Sequence, residues 1–156
     1  MTQTELTELV EVYSPMLLRA ALTRLSAPAD AEDAVQEVFL KVLDRQPHFR
    51  DGEHAKAWLI RATLNQASDL RRRRRDDAPL DEALTAQSDT AEERLDLLSA
   101  VRSLPPTYSA VIHLYYYEGY SIKEIAKLLA LPSPTVGTRL ARGRERLRRL
   151  LKEDAV

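Results

Sequence analysis

Apolar positions recur at intervals of three and four in most segments of the chain, with no sustained period-two alternation and no Asn-Gly hairpin signal. This pattern predicts an all-helical protein. A first helix over about 4–26 carries Leu6, Leu9, Val10, Leu17, Leu18, Ala21 and Leu25, and Pro15 is expected to kink or split it. Asp30 is placed to cap a second helix, with Glu32 and Asp33 at the positive end of its dipole and Val35, Val38, Phe39, Val42 and Leu43 as one apolar stripe. A third helix over about 53–75 holds Trp58, Leu59, Ala62, Leu64, Ala67 and Leu70. Three such helices enclose one small core.

Periodicity then lapses. Residues 76–90 are acidic, polar and aperiodic, and read as a flexible linker between two small domains, 1–75 and 91–156. Beyond it, Thr90 and Glu93 form a capping box for a helix carrying Leu95, Leu98, Val101 and Leu104, which Pro105 stops. Pro106 suits the first position of a further helix reaching about 118, with Val111, Ile112 and Tyr115 facing inward and Gly119 ending it. Tyr115, Tyr116 and Tyr117 cannot share one face, so at least one is expected at the surface and the others in packing. Ser121 and Glu124 make a second capping box ahead of Ile122, Ile125, Ala126 and Leu129. After a break at Leu131 and Pro132, Ser133 is expected to cap a last helix with Pro134 at its first position. Two helices joined by so tight a turn predict a helix-turn-helix.

Composition narrows the chemistry. The chain has 156 residues, no cysteine and three scattered histidines, so disulfides, thiolate metal sites and a histidine ligand cluster are not expected. There is no Gly-rich phosphate loop and no Ser/His/Asp order suggesting a triad, which favours binding over catalysis and calls for no cofactor. No apolar run approaches the ~20 residues of a membrane span, and the N-terminus lacks a signal-peptide pattern. The chain reads as a soluble, unprocessed protein of a reducing cytoplasm. Its formal net charge of −1 conceals strong segregation. Segments 1–70, 71–75, 76–98 and 99–156 carry net charges of −4, +5, −7 and +5. Clustered cations release counterions when they meet a polyanion, so the two basic blocks point to nucleic acid.

On the last helix, Val136, Leu140, Gly143, Leu147 and Leu150 share one face and are expected to pack on Ile125 and Leu129. Ser133, Thr135, Thr138, Arg139 and Arg142 lie in the early turns, the part that a helix-turn-helix inserts into the major groove, whereas Arg146, Arg148 and Arg149 suit phosphates. Arginine bridges guanine bidentately, and threonine bonds a base edge or touches a thymine methyl. The run Arg71–Arg75 exceeds what a helix dipole needs at its C-terminus. With Lys56, Trp58, Arg61 and Asn65, the arginines Arg71, Arg72 and Arg73 compose a basic and aromatic strip suited to melted DNA, where bases stack on rings and cations follow the backbone. A lone tryptophan at helical spacing is nonetheless core more often than platform. The outer side of the second helix carries Asp33, Gln36 and Glu37, which pattern alone leaves open between a solvated face and an interface.

The segments Asp-Ala-Glu-Asp-Ala-Val-Gln-Glu-Val-Phe-Leu-Lys-Val (30–42), Ala-Trp-Leu-Ile-Arg-Ala-Thr-Leu-Asn-Gln-Ala-Ser-Asp-Leu-Arg-Arg (57–72), Leu-Pro-Pro-Thr-Tyr-Ser-Ala-Val-Ile (104–112), Tyr-Tyr-Glu-Gly-Tyr-Ser-Ile-Lys-Glu-Ile-Ala (116–126) and Thr-Arg-Leu-Ala-Arg-Gly-Arg-Glu-Arg-Leu (138–147) resemble, in order and over nearly the whole chain, the extracytoplasmic-function sigma factors of the sigma-70 family. The resemblance implies an RNA polymerase initiation subunit without catalytic activity of its own. It implies that Asp33, Gln36 and Glu37 dock on the clamp of the largest polymerase subunit, and that the region from Phe49 to Arg75 reads and opens the minus-ten element. The C-terminal domain would meet the flap region and read the minus-thirty-five element. Partners implied are core polymerase, promoter DNA and an anti-sigma factor. The rival expectation is a helix-turn-helix regulator that does not replace the sigma subunit. Departures sit in the recognition helix: many relatives have lysine where this chain has Gly137, and alanine where it has Gly143. Each glycine is expected to cost the helix about 1 kcal/mol.

Overall fold

The computed structural model of the chain describes residues 2–77 and 97–155. They belong to two compact units, 1–83 and 84–156, which are helical with no strand among the described residues. The expected linker, the Thr90 and Glu93 capping box and Leu95 fall mainly or wholly outside the described residues.

The first unit packs α1 (Gln3–Leu22), α2 (Pro28–Arg45) and α3 (Gly52–Asp77) around Leu17, Val38, Val42, Leu59, Ile60 and Leu64, all fully buried or nearly so. α1 opens on a capping box in which Thr2 Oγ1 accepts the Glu5 N–H at 3.1 Å and the Glu5 carboxylate accepts the Thr2 N–H at 3.0 Å. Pro15 does not split the helix as expected. The proline lies on the exposed side of the helix, and Met16, Leu17, Ala20 and Ala21 are buried just beyond it.

α2 starts two residues before the expected cap. Ala27 occupies the cap position without a side-chain bond and Pro28 takes the first helical position, for which its fixed φ and missing N–H are suited. Asp30 is therefore inside the first turn, and its carboxylate accepts from Arg74 of α3 at 2.9 Å. The stripe of Val35, Val38 and Val42 is buried, but Leu43 is 52% exposed, because it lies about 100° round the helix from Val42. Leu40 is 57% exposed as well. Three polar ties seat the helices: Tyr13 donates to the Gly52 carbonyl at 3.3 Å, Arg24 to the Leu64 carbonyl at 3.2 Å, and Lys41 to Gln66 at 2.8 Å.

The second unit contains α4 (Leu97–Ser103), α5 (Pro106–Ile112), a π-helical turn (His113–Tyr117), α6 (Ile122–Leu129) and α7 (Ser133–Ala155). Pro105 and Pro106 stop one helix and start the next, as their lack of an N–H requires. The helix expected to run to 118 instead widens at His113, and the extra residue in that turn rotates the residues after it. His113 and Leu114 become buried, whereas Tyr116 and Tyr117 are exposed and Tyr115 is half-buried. Two of the three tyrosines thus reach the surface, in keeping with the expectation of at least one. Tyr117 stacks on His113 with ring centroids 5.2 Å apart, and His113 Nε2 lies 3.2 Å from the Glu118 carboxylate. Gly119, at φ +78°, turns the chain toward α6.

The Ser121 capping box forms as expected: Ser121 Oγ accepts the Glu124 N–H at 3.1 Å, and the Glu124 carboxylate accepts the Ser121 N–H at 2.9 Å. α6 ends at Ala130 in the left-handed region, and α7 begins at Ser133 itself, one residue earlier than a Ser133 cap would place it. The Pro132 carbonyl receives the first N–H groups of α7, those of Thr135 at 3.0 Å and Val136 at 3.2 Å. Val136, Leu140 and Gly143 of α7 are buried, and Leu147 and Leu150 are half-buried.

The two glycines of α7 differ physically. A methyl group at Gly143 would stand 2.9 Å from Ile112 Cγ1 and 3.2 Å from Ile112 Cδ1, so its absence lets α5 and α7 approach. At Gly137 a methyl group meets nothing within 4 Å. Gly137→Ala is therefore expected to stabilise the second unit by about 0.5–1 kcal/mol. Gly143→Ala gains the same helix propensity but forces Ile112 to move, a strain of about 1–3 kcal/mol that cancels or reverses it. Thermal unfolding of the two variants checks this, and equal stabilisation by both contradicts the close approach.

Candidate nucleic-acid interface

With Val136, Leu140 and Gly143 turned inward, the 3.6-residue period of α7 dictates what faces out. Thr135, Thr138, Arg142, Arg146 and Arg149 succeed one another at spacings of three and four and form a single stripe, with Arg139 along its edge. Thr138, Arg142, Arg146 and Arg149 are exposed, and Thr135 and Arg139 half-buried. Ser133 is exposed but lies off this stripe, on the side of Gly137 and Arg144. The structure thus gathers five of the six expected duplex-reading residues and separates the sixth.

The cations of α7 are not equivalent. Glu145 pairs with Arg148 and Arg149, each at 3.4 Å. Arg146 lies over the ring of Tyr108, 4.9 Å from its centroid, and Arg144 donates to the Tyr116 hydroxyl at 2.8 Å. Tyr108, Arg142, Glu145, Arg146 and Arg149 line a shallow depression beside the stripe. The sequence pattern does not single out the two tyrosines for this role.

On α3, the buried face of Leu59, Ile60, Thr63, Leu64 and Ala67 leaves Trp58, Arg61, Asn65 and Arg72 on one outward line. Arg61, Asn65 and Arg72 are exposed and Trp58 is half-buried. Phe49 meets Trp58 edge-on at 5.7 Å and His54 at 5.6 Å, so the tryptophan is braced by a small aromatic group instead of entering the core. Lys56 does not join this line. It precedes Leu59, Ile60 and Thr63 by three, four and seven residues and sits half-buried at the rim of the core face. The arginine run is also divided: Arg71 is half-buried, Arg72 pairs with Asp69, Arg73 is exposed, and Arg74 is held by Asp30.

The outer face of α2 carries Asp33, Gln36 and Glu37, all exposed, together with the exposed Leu40 and Leu43. Two leucines in water beside acids are unlike a merely solvated helix face. Leu40 does not stand out in the sequence pattern, although it lies three residues from Glu37 and four from Gln36. Among the described residues no cluster of three or more acidic or histidine side chains is arranged to hold a metal ion, and no helix is long and apolar enough to cross a membrane.

Residues 9–76 match Sigma-70 region 2 and residues 94–147 match Sigma-70, region 4. The chain is 33% identical to the ECF RNA polymerase sigma factor SigE of Mycolicibacterium smegmatis, over 95% of its own length and 62% of that protein's. It is 30% identical to the ECF RNA polymerase sigma factor SigW of Bacillus subtilis, over 94% of its length and 88% of that protein's. The solved sigma factor RpoE of Bartonella quintana, in complex with the anti-sigma factor NepR, matches with a TM-score of 0.74 at 28% identity, covering 97% of this chain and 98% of that one. CnrH, solved with the cytosolic domain of CnrY, matches with a TM-score of 0.68 at 29% identity, covering 98% of this chain and 91% of that one. With the two sigma-70 regions in order along it and a helix-turn-helix carrying its stripe of threonines and arginines, the chain belongs to the extracytoplasmic-function RNA polymerase sigma factors.

Proposed function

We propose that the chain docks on core RNA polymerase through α2 and directs it to promoters by binding DNA at two points, α7 on the minus-thirty-five duplex and α3 on the minus-ten element as it opens. The observation that carries this is the separation of three outward faces, acidic and apolar on α2, aromatic and basic on α3, hydroxyl and basic on α7, each backed by a buried face that fixes it. Asp33, Gln36 and Glu37 with Leu40 and Leu43 contact the clamp of the largest polymerase subunit. Trp58, braced by Phe49, with Arg61, Asn65 and Arg72 receives an unstacked base and the separated strand. Lys56, Arg71 and Arg73 flank this line and contribute charge along the strand. On the duplex, Thr135, Thr138, Arg139 and Arg142 address base edges, Arg146 the backbone, and Ser133 the entry to the groove.

The protein acts by differential binding, not by catalysis, in the cytoplasm where the polymerase works. The second unit meets the polymerase flap region. An anti-sigma factor restrains the free chain, a reading supported by the neighbour bound to NepR.

The exposed leucines test the docking face. Leu40→Ser leaves the core untouched and is expected to change stability by no more than about 0.5 kcal/mol. It should nevertheless reduce retention on immobilised core polymerase by tenfold or so, the loss of about 1.4 kcal/mol of interface contact. Retention equal to the parent's places docking elsewhere. If the folded parent itself is not retained without DNA, docking on core polymerase through α2 is contradicted.

The two DNA faces are separable in the same way. Arg142→Ala or Arg139→Ala should weaken minus-thirty-five duplex binding by about 1–3 kcal/mol each while leaving strand opening at saturating enzyme intact. Arg72→Ala with Arg73→Ala should leave duplex binding nearly unchanged and lower permanganate reactivity of unpaired thymines. Equal loss of duplex binding in both sets contradicts this division.

A further inference from the structure

Arginines on α7 are held by two kinds of neighbour. Arg148 and Arg149 share the carboxylate of Glu145, so part of their charge is already compensated. Arg146 and Arg144 are instead held by neutral groups, the Tyr108 ring at 4.9 Å and the Tyr116 hydroxyl at 2.8 Å. A neutral anchor orients a guanidinium without neutralising it. The cation reaches a phosphate with its charge available and with part of its rotamer freedom already surrendered. A carboxylate partner has to be displaced first.

Geometry gives the arrangement a direction. Residues two apart on a helix project about 200° apart, so Arg144 and Arg146 leave opposite flanks of α7, on either side of the ridge formed by Val136, Leu140 and Gly143. A helix seated in the major groove has a phosphate wall on each side, about 12 Å apart. Both arginines lie beyond the early turns that meet base edges, where a recognition helix contacts backbone. Burial does not account for Tyr116, which is 56% exposed yet spends its hydroxyl on Arg144.

We infer that Tyr108 and Tyr116 are positioning residues for duplex binding, holding Arg146 and Arg144 on the two flanks of α7 toward the phosphates that wall the groove. This rests on α7 being the recognition helix. Arg144 thereby joins the duplex-contacting set, and its contact carries no sequence information.

Because phosphate contacts are independent of sequence, a short fluorescent duplex of arbitrary sequence is the probe, titrated with the full chain across a salt series. Arg146→Ala and Arg144→Ala are each expected to lower the slope of log affinity against log salt by about one. Tyr108→Leu should weaken binding about two- to fivefold in the parent and not at all in the Arg146→Ala background, whereas Tyr108→Phe, which keeps the ring, should match the parent. Tyr116→Phe should weaken binding to a similar degree only when Arg144 is present. It removes one oxygen from an exposed side chain, so this arm stands even where Tyr108→Leu fails to fold. The proposal is overturned if the tyrosine variants leave affinity unchanged, or weaken it equally with and without their arginine. If Arg146→Ala and Arg144→Ala alter neither affinity nor slope, the proposal is likewise overturned; if Arg139→Ala and Arg142→Ala are also without effect, it is the assignment of α7 to DNA that fails.

Discussion

Val136, Leu140 and Gly143 bury one face of α7 against the rest of the second unit, and that burial determines what the helix can offer to DNA. At 3.6 residues per turn, an inward ridge at these positions leaves Thr135, Thr138, Arg142, Arg146 and Arg149 outward as one stripe. Gly143 lies within contact distance of Ile112, where a side chain would push the helix outward. A residue that looks like a weak point in helix propensity therefore helps to hold the recognition helix at its depth. Gly137, with open space around it, has no such compensation, and the flank it leaves bare carries Arg144 two turns later, tied to Tyr116.

Similar logic governs the first unit. The buried face of α3 sends Trp58, Arg61, Asn65 and Arg72 outward together and draws Lys56 to the core rim. Hydrogen bonds from Tyr13 of α1, from Arg24 just beyond the end of α1 and from Lys41 of α2 seat α3 against its neighbours. The arginines 71–74 near its end then become individually different, since a helix turns them in different directions and Asp69 and Asp30 claim two of them. Arg74, bound to Asp30 in the first turn of α2, ties α3 to α2. The acids of α2 likewise divide: Asp30 is used inside the unit, and Asp33 and Glu37 are exposed.

Much of this is legible in the sequence wherever local chemistry leaves few choices. Ser121 with Glu124 and the pair Pro105 and Pro106 set helix ends directly, and the apolar spacing on α7 orients the stripe. The features that escape it depend on tertiary context or on competing local signals. Pro28 at the first position of α2 displaces Asp30 from the cap, by the same physics that places Pro106. The π-helical turn at His113 changes the register, buries His113 and Leu114, and puts two tyrosines at the surface. Leu43 falls in the apolar stripe read from the sequence and Leu40 outside it, and the exposure of both is evident only once Val38 and Val42 are known to point inward. Tyr108 cannot be paired with Arg146 from spacing, because they lie on different helices. The close approach at Gly143 is likewise a property of two helices, invisible to a propensity scale.

One chain has to make three contacts at once, with polymerase, with duplex and with melted DNA. Run-off transcription with purified core polymerase on promoter fragments mapped after overexpression of the protein tests that combination most directly. The expected result is transcripts that depend on the added chain and are lost when Leu40 of α2, Arg72 and Arg73 of α3, or Arg142 of α7 is replaced. Folded protein that binds core polymerase yet supports no transcript on any such fragment would contradict it.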